Sequence, residues 1–359
     1  MTDPTLARWQ ERVRTAMRAK TALRIHGAGS KDFYGEAPRG EPFDTRDYAG
    51  IVDYEPTELV ITARAGTALD EIEATMCAHG QLLAFEPPHF APGATLGGAV
   101  AAGLSGPRRA HAGAVRDFVL GVRMIDGRGD DLSFGGRVMK NVAGFDVARL
   151  MCGALGTLGI LAEISLKCLP AARAEVTRAF DMSVDEAMRR VNEWGTQPLP
   201  VSASCYVDGR LCVRLSGARA AVDAAAAKLG GDSVDDGEQW WRSIRDHGHA
   251  YFRRAAIDGM SLWRLSVKST SPHADLSGEQ MIEWGGALRW LAIEGRSDAT
   301  KLRNWAASHG GHATLFRAAD KAAGVFQPLP PPLARIHQRL KAAFDPYGIL
   351  NPGRMYASH

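Results

Sequence analysis

Cysteine is scarce in this 359-residue chain: Cys77, Cys152, Cys168, Cys205 and Cys212 are all there is, and no two are spaced Cys-x-x-Cys. An odd set without ligand spacing excludes a disulfide framework, a zinc ribbon or an iron–sulfur cluster held by this chain alone, so the thiols read as small buried hydrophobes. Two phosphate-binding signatures are lacking as well. No G-x-G-x-x-G joins a strand to a helix with an acidic residue about 20 positions on, and no G-x-x-x-x-G-K-[ST] occurs, which argues against a nicotinamide-type Rossmann domain or a P-loop. Long apolar runs are absent too. No window approaches about 18 uninterrupted apolar residues and Met1–Lys20 holds no apolar h-region, so a cytoplasmic protein without direct membrane insertion is expected. Neither sign of charge dominates: the net charge is +3, which argues against a nucleic-acid partner. No repeat of fixed period is visible.

What the chain has in quantity is glycine, concentrated where chemistry is expected. Between Pro87 and Val119 stand Gly93, Gly97, Gly98, Gly103, Gly106 and Gly113, far denser than the ~7% of average composition. Glycine permits φ > 0 and removes the Cβ that would hold a phosphate or a flat ring away from the peptide N–H groups. A buried run of small residues closing a tight sheet–helix contact is the alternative reading. Two further segments weigh against it. Leu23–Ile25 is a short apolar strand running into His26–Gly35, where Gly27 and Gly29 stand one residue apart. Lys140–Leu169 holds Gly153-x-x-Gly156-x-x-Gly159, which opens a strand with Ile160, Ala162, Ile164, Leu166 and Cys168 on one face.

The rest of the chain alternates between helix and strand signals, and its length exceeds what one core usually fills, about 250–300 residues. Two domains are expected. Leu6–Lys20 reads as an amphipathic helix, and Phe43–Tyr54 and Leu59–Arg64 as strands about a turn at Pro56. Thr67 is placed to cap a helix over Ala68–His79 that stops at Gly80. Val119–Ile125 and Leu132–Phe134 form a hairpin. After Pro170 come a strand at Glu175–Phe180, a helix opened by Ser183 and Glu186, a hairpin about Asp208-Gly209, a helix at Ala218–Leu229 and a single helix over Gln239–Arg254. Strands follow at Leu262–Val267, Met281–Trp284, Ala287–Ile293 and Ala313–Phe316, with helices at Ala299–His309 and Leu333–Phe344.

In order and spacing the segments PTELVITARAGT, EPPHFAPGATLGGAVAAGLSGPRRAHAGAVRDFVLG, VMKNVAGFDVARLMCGALGTLGILAEISLKCLP and FDPYGILNPGRMY resemble the FAD-binding domain of the vanillyl-alcohol oxidase/p-cresol methylhydroxylase (PCMH) superfamily. More narrowly, they resemble the FAD-binding subunits of glycolate oxidases. The resemblance is dense over Leu23–Pro170, thins beyond and returns at the C-terminus. It implies an α+β chain: a two-lobed PCMH-type FAD-binding domain over residues 1–170, an antiparallel-sheet cap domain with helices on one face over 171–330, and a helix and tail over 331–359 returning to the first domain.

The resemblance further implies which residues meet FAD. Peptide N–H groups of Gly27, Ala28, Gly29, Ser30 and Lys31 and of the helix start at Thr95, Leu96, Gly97 and Gly98, behind Pro92, would hold the pyrophosphate. Gly103, Leu104, Ser105, Asp117 and Val119 would lie along the ring and ribityl chain. Gly156, Thr157, Gly159 and Ile160 would contact the adenosine half, and Asn351 would return the tail to the flavin. Some relatives attach FAD to a histidine where this chain has Ser30, so the cofactor is expected to be non-covalent. His26, on the strand side of that loop, reads equally as packing residue and as ligand.

Glycolate would be oxidised to glyoxylate, with electrons passed to a second FAD-containing subunit and an iron–sulfur subunit, through which alone the protein would reach the inner membrane. A 2-hydroxy acid needs a cation for its carboxylate and a base for its hydroxyl proton. Arg264, Lys268 and His312 are the catalytic candidates, each of which also reads as an exposed strand residue. The larger glycolate oxidase flavoprotein carries a G-H-x-G-D-G-N-x-H motif, of which this chain has only Gly311-His312. No metal site is expected, and the chain alone is not expected to oxidise glycolate. A non-catalytic FAD-holding scaffold and a free-standing FAD-dependent 2-hydroxy acid oxidase remain the alternatives.

Overall fold

The alternation read along Ile160–Leu166 places a strand at the centre of the first sheet. In the computed structural model, which describes residues 3–136, 145–273 and 276–357, Ile160, Ala162, Ile164 and Leu166 are all fully buried. Val138–Gly144, the start of the third glycine-bearing segment, lies outside the described residues. The chain groups into two compact units, one of residues 1–104, 114–170 and 328–359, the other of 105–113 and 171–327. The excursion of 105–113 into the second unit has no counterpart in the sequence reading.

In the first unit α1 (Pro4–Ala19) is capped by the Asp3 carboxylate and buries Leu6, Trp9, Val13 and Ala16. Strands β1 (Leu23–His26) and β2 (Glu41–Asp44) pair in parallel. A separate antiparallel sheet has the order β3-β4-β8-β6-β7, built from β3 (Ile51–Glu55), β4 (Val60–Arg64), β6 (Val119–Ile125), β7 (Asp131–Gly135) and β8 (Ile160–Lys167). The strand read over Phe43–Tyr54 is therefore two strands in two sheets, because Thr45–Gly50 turns between them and Gly50 takes φ +112°. The short strands β5 (Gln81–Leu82) and β9 (Leu169–Pro170) pair with each other. Helices α2 (Leu69–Cys77), α3 (Leu96–Ala102), α5 (Val147–Leu150) and α11 (Pro331–Phe344) complete the unit.

Thr67 does not cap α2. Its hydroxyl donates to Arg64 O (2.7 Å) and accepts from Gly50 N (2.9 Å), closing the turn after β4, and the N-cap position is Ala68.

The second unit is one antiparallel sheet of order β13-β10-β12-β11-β15-β16-β14-β17. Its strands are β10 (Ala174–Asp181), β11 (Val201–Val207), β12 (Arg210–Gly217), β13 (Asp232–Ser233), β14 (Ser261–Ser266), β15 (Glu279–Glu283), β16 (Leu288–Ile293) and β17 (His312–Arg317). Asp208 (φ +52°) and Gly209 (φ +79°) make the turn between β11 and β12, as the Asp-Gly pair demands. Helices α6 (Val184–Gly195), α7 (Arg219–Leu229) and α10 (Ala299–Ser308) cover one face, against Leu211, Val213 and Leu215 at one end and Trp263, Leu265 and Leu315 at the other.

Helices are not confined to that face. The segment Gln239–Arg254 is broken at His247 (φ +58°) into α8 (Gly237–Arg245) and α9 (Ala250–Ile257), which pack on the opposite face. Trp241 Nε1 donates to Thr177 Oγ1 (3.0 Å), and the Phe252 ring meets Trp290 edge to face at 5.5 Å. The reason lies in β16, Leu288–Ile293, whose first five residues are all buried. A strand apolar on both sides needs cover on both sides. The short helix α4 (Arg109–Ala112) contributes to the same face. No helix among the described residues is long and apolar enough to cross a membrane.

Candidate functional site

The largest concentration of predicted residues lies in the first unit, around one cleft. β1 runs into the loop 27–32, where Asp32 N donates to Gly29 O (3.0 Å) and Gly29 takes φ +74°. Among the described residues the peptide N–H groups of Gly27, Ala28, Gly29 and Ser30 have no protein acceptor. Such a run of open donors is an anion cradle. Glycine faces let the walls close up: a Cβ on Gly27 of the loop would collide with Thr95 Oγ1, and one on Gly156 (φ +71°) opposite would sit 2.7 Å from Asn351 Nδ2.

Cations surround the same cleft. Arg24, Lys31 and Arg354 line it with His26, against the single carboxylate of Asp32. His26 Nδ1 donates to Gly27 O (2.9 Å), which leaves Nε2 buried without a partner, and the Nε of Arg24 is likewise buried and unpartnered. Buried polar atoms of this kind call for a ligand or an ordered water. Lys31 is buried, with its Nζ at the outer limit of hydrogen bonding to Ser30 Oγ (3.4 Å) and His89 O (3.5 Å). Arg354 donates to the carbonyls of Asp32 (2.9 Å) and Glu36, pinning the tail to the loop.

Asn351 ties three walls together. Its Oδ1 accepts from Ile25 N (2.7 Å), and its Nδ2 donates to Leu155 O (2.7 Å) and Ile25 O (3.3 Å). It is held at φ +41°, in the left-handed region that asparagine tolerates.

Of the residues expected to meet a cofactor, Gly27, Ala28, Gly29, Ser30, Lys31, Thr95, Gly97, Gly98, Gly156, Gly159 and Asn351 line this cleft. Pro92, Leu96, Gly103, Leu104, Val119, Thr157 and Ile160 do not line it. Leu96, Val119 and Ile160 are core side chains, and the Thr157 hydroxyl is spent on Ala154 O (2.7 Å). Gly103 ends α3 at φ +68°, with its α-carbon facing Gly153. Asp117 accepts from Ala114 N (2.9 Å) and borders a separate hollow. Ser105 groups with the second unit.

The expected role of the α3 N-terminus is corrected. Leu96 N donates to Thr67 O (2.9 Å), Gly97 N to Ala65 O (2.8 Å), Gly98 N to Thr95 Oγ1 (3.3 Å) and Ala99 N to Thr95 O (2.9 Å). The amides of Leu96, Gly97 and Gly98, three of the four expected donors, are thus used within the protein, and α3 offers the cleft bare glycine surface at Gly98. Arg24, Thr45, Ala65 and Arg354 also line it and were missed. Only the basic Arg24 beside His26 and the Arg354 that follows Asn351-Pro-Gly carried a signal that could have found them.

In the second unit the strand register pairs Arg264 with Thr314 and Ser266 with His312. Arg264 and His312 therefore share the face that α8 and α9 partly cover. The Arg264 guanidinium lies 5.1 Å from the Trp284 ring centre and 6.0 Å from that of Trp290, and Arg109 from α4 lies 4.4 Å from Trp284. Desolvation, then the charges of Arg264 and Arg109, hold the His312 imidazole below its ordinary pKa. Lys268 does not join this group: it is exposed beyond the end of β14, and its stem runs past Gly310.

Comparisons with known proteins agree with this geometry. The profile of a family described as FAD binding domain matches residues 5–135. The chain is 50% identical over 347 residues to glycolate oxidase subunit GlcE of Escherichia coli (strain K12), covering 97% of this chain and 96% of the relative. It is 32% identical over 146 residues to glycolate oxidase subunit GlcD of Bacillus subtilis (strain 168), covering 40% of this chain and 30% of that one. Among solved structures, an alkyldihydroxyacetonephosphate synthase superposes with a TM-score of 0.66 at 15% identity, over 96% of this chain and 73% of the other, which supports the fold alone.

Proposed function

Since the chain belongs to the family of glycolate oxidase subunit GlcE, we propose that it is the FAD-binding subunit of a glycolate oxidase, oxidising glycolate to glyoxylate only together with partner subunits. The end-to-end match, 97% of one chain against 96% of the other, is the observation that carries this reading. Its residues fit the cofactor. The open peptide donors of Gly27–Ser30, with Arg24 and Lys31 beside them, suit the two negative charges of a pyrophosphate. Gly98 lets a flat or extended group lie against backbone, and Asn351 holds the loop, the 155–156 turn and the tail in one arrangement. Once bound, FAD supplies the hydride-accepting chemistry, while the chain binds, orients and excludes water.

Ser30 offers no ring nitrogen for a covalent link. Acid denaturation is therefore expected to release all yellow colour into the supernatant, and flavin left on the precipitated polypeptide would refute the assignment of Ser30.

Electrons need a route out. Burial raises the thiols of Cys152 and Cys168 to about 12 and that of Cys212 to about 11, raises Cys205 well above its usual value, and leaves only Cys77 exposed. The buried thiols stay protonated, and only Cys205 and Cys212 are neighbours, opposite each other across β11 and β12, so a second flavoprotein and an iron–sulfur subunit are proposed as the electron acceptors. On this reading the subunit is cytoplasmic and reaches the inner membrane only through those partners. Anaerobic glycolate is expected to bleach the bound flavin in the assembled complex and to give negligible dye-linked turnover with this chain alone. Equal rates for chain and complex would replace the subunit reading with a free-standing oxidase.

A further inference from the structure

A helix packed on a domain usually turns its apolar stripe toward the core. In α11 the buried residue is instead Lys341, while Leu333, Ile336 and Leu340, spaced i, i+3 and i+7, form a stripe in which Leu333 is 42% and Ile336 53% exposed. Tyr347, in the turn after the helix, is 54% exposed. These three are half of the large hydrophobic side chains exposed among the described residues, gathered on one helix and the turn that follows it. Exposed apolar side chains scattered singly need no explanation, whereas a group of them marks a contact surface.

Charge borders the stripe. Arg335 and Arg339, one turn apart, are exposed beside it, and neither side chain has a hydrogen bond or ion pair within the described residues. From Lys321 to Phe344 the sequence contains no aspartate or glutamate. An apolar centre with a polar, arginine-bearing rim is the composition of a protein interface. A second copy of this chain suits it poorly, because a two-fold contact sets the same patch on both sides and would bring the arginines of the two copies together. A lipid surface suits it poorly as well. Interfacial helices sink a broad face carrying Trp, Phe and Leu, and α11 is tied back by Lys341, whose Nζ donates to Thr157 O (2.7 Å) and Leu350 O (2.8 Å).

Resting on the reading of this chain as a glycolate oxidase subunit, we infer that the outer face of α11 docks a partner subunit whose matching surface is an apolar hollow edged by carboxylates. Leu333 and Ile336 fill the hollow, and Arg335 and Arg339 meet the carboxylates. The place suits a partner that must reach the cofactor. The Leu350 carbonyl held by Lys341 directly precedes Asn351, which lines the cleft, so a subunit seated on α11 lies against the element that fixes the cleft's tail wall.

The test measures, by calorimetry, binding of the full FAD-loaded chain to the purified second flavoprotein subunit and, separately, to the purified iron–sulfur subunit. Wild type is expected to bind one of them with an affinity that falls as salt rises, because the rim is charged. The double variants Leu333→Gln/Ile336→Gln and Arg335→Glu/Arg339→Glu are each expected to weaken that binding at least about tenfold, the arginine pair also removing most of the salt dependence. Both pairs face outward, so flavin content and melting temperature should stay at wild-type values. Charge reversal elsewhere, Arg219→Glu on α7, should leave the affinity within about twofold. Wild-type affinity in both folded double variants would overturn the docking face and leave the subunit reading standing, whereas wild type binding neither subunit would overturn both. Self-association in the ultracentrifuge, or sedimentation with phosphatidylglycerol vesicles, that is lost in the Leu333→Gln/Ile336→Gln variant would overturn the proposal in favour of a second copy or of a lipid surface. The glycolate oxidase reading fails separately, if the complex assembles through α11 and glycolate still leaves its flavin oxidised.

Discussion

Gly98→Val is expected to yield a folded chain that has lost nearly all its flavin, and Gly97→Val a chain whose fold is damaged. The two glycines are adjacent, but their surroundings differ. A Cβ on Gly97 would lie 2.8 Å from Ala65 Cβ and 3.0 Å from Ala65 O, so valine there forces α3 away from the end of β4 at about 1–3 kcal/mol. A Cβ on Gly98 would meet only Thr95 Oγ1, at 3.1 Å, and otherwise faces the cleft. Valine is no worse than glycine inside a helix, so the polypeptide tolerates it while the cofactor's space is filled. The ratio of flavin to protein absorbance after purification should fall at least about tenfold for Gly98→Val. Substitution of the exposed Arg219 should leave the ratio unchanged. Full flavin occupancy in a folded Gly98→Val protein would remove α3 from the cofactor site.

A second large effect is expected from Lys341→Met, and it concerns stability rather than occupancy. Lys341 is the buried member of α11; its Nζ donates to Thr157 O (2.7 Å) and Leu350 O (2.8 Å) and pairs with Asp345 Oδ2 at 2.8 Å, with the Asp345 side chain fully buried. Removing one partner of a buried pair strands the other, a loss on the order of 3–5 kcal/mol. Urea unfolding should show that loss as a lower midpoint at unchanged slope. Removing Asp345 as well is not expected to rescue the protein. Its two carboxylate oxygens also accept from Ile349 N (3.1 Å) and Leu350 N (2.8 Å), and an apolar side chain would leave both buried amides unsatisfied. A Lys341→Met protein as stable as wild type would show that the tail is held by its apolar contacts alone.

The parts of this fold that are legible in sequence are those set by near neighbours. The strand signal of Ile160, Ala162, Ile164 and Leu166, all fully buried, the Asp208-Gly209 turn and the Ser183 cap on Glu186 N each depend on a few adjacent residues. The glycine loops belong to the same class, since an absent Cβ is visible wherever it lies. What stayed hidden depends on partners far along the chain. The α3 amides look open in sequence because their acceptors, Ala65 O and Thr67 O, are the end of another strand. Arg24 and Arg354 reach the cleft from opposite ends of the chain. The break at His247 and the second helical cover follow from β16 being apolar on both faces, where short apolar runs leave helix and strand cover undetermined.

The stitch made by Asn351 also orders events in time. Leu23 N donates to Ile349 O (2.7 Å) and Asn351 N to Leu23 O (2.9 Å), and the Asn351 side chain closes on Ile25, 326 residues upstream. During synthesis the loop that would hold the pyrophosphate leaves the ribosome early, while one wall of its cleft is still untranslated. Flavin capture is therefore expected to require a chain translated past residue 351: a nascent chain arrested before it would expose β1 and the glycine loop yet retain no colour.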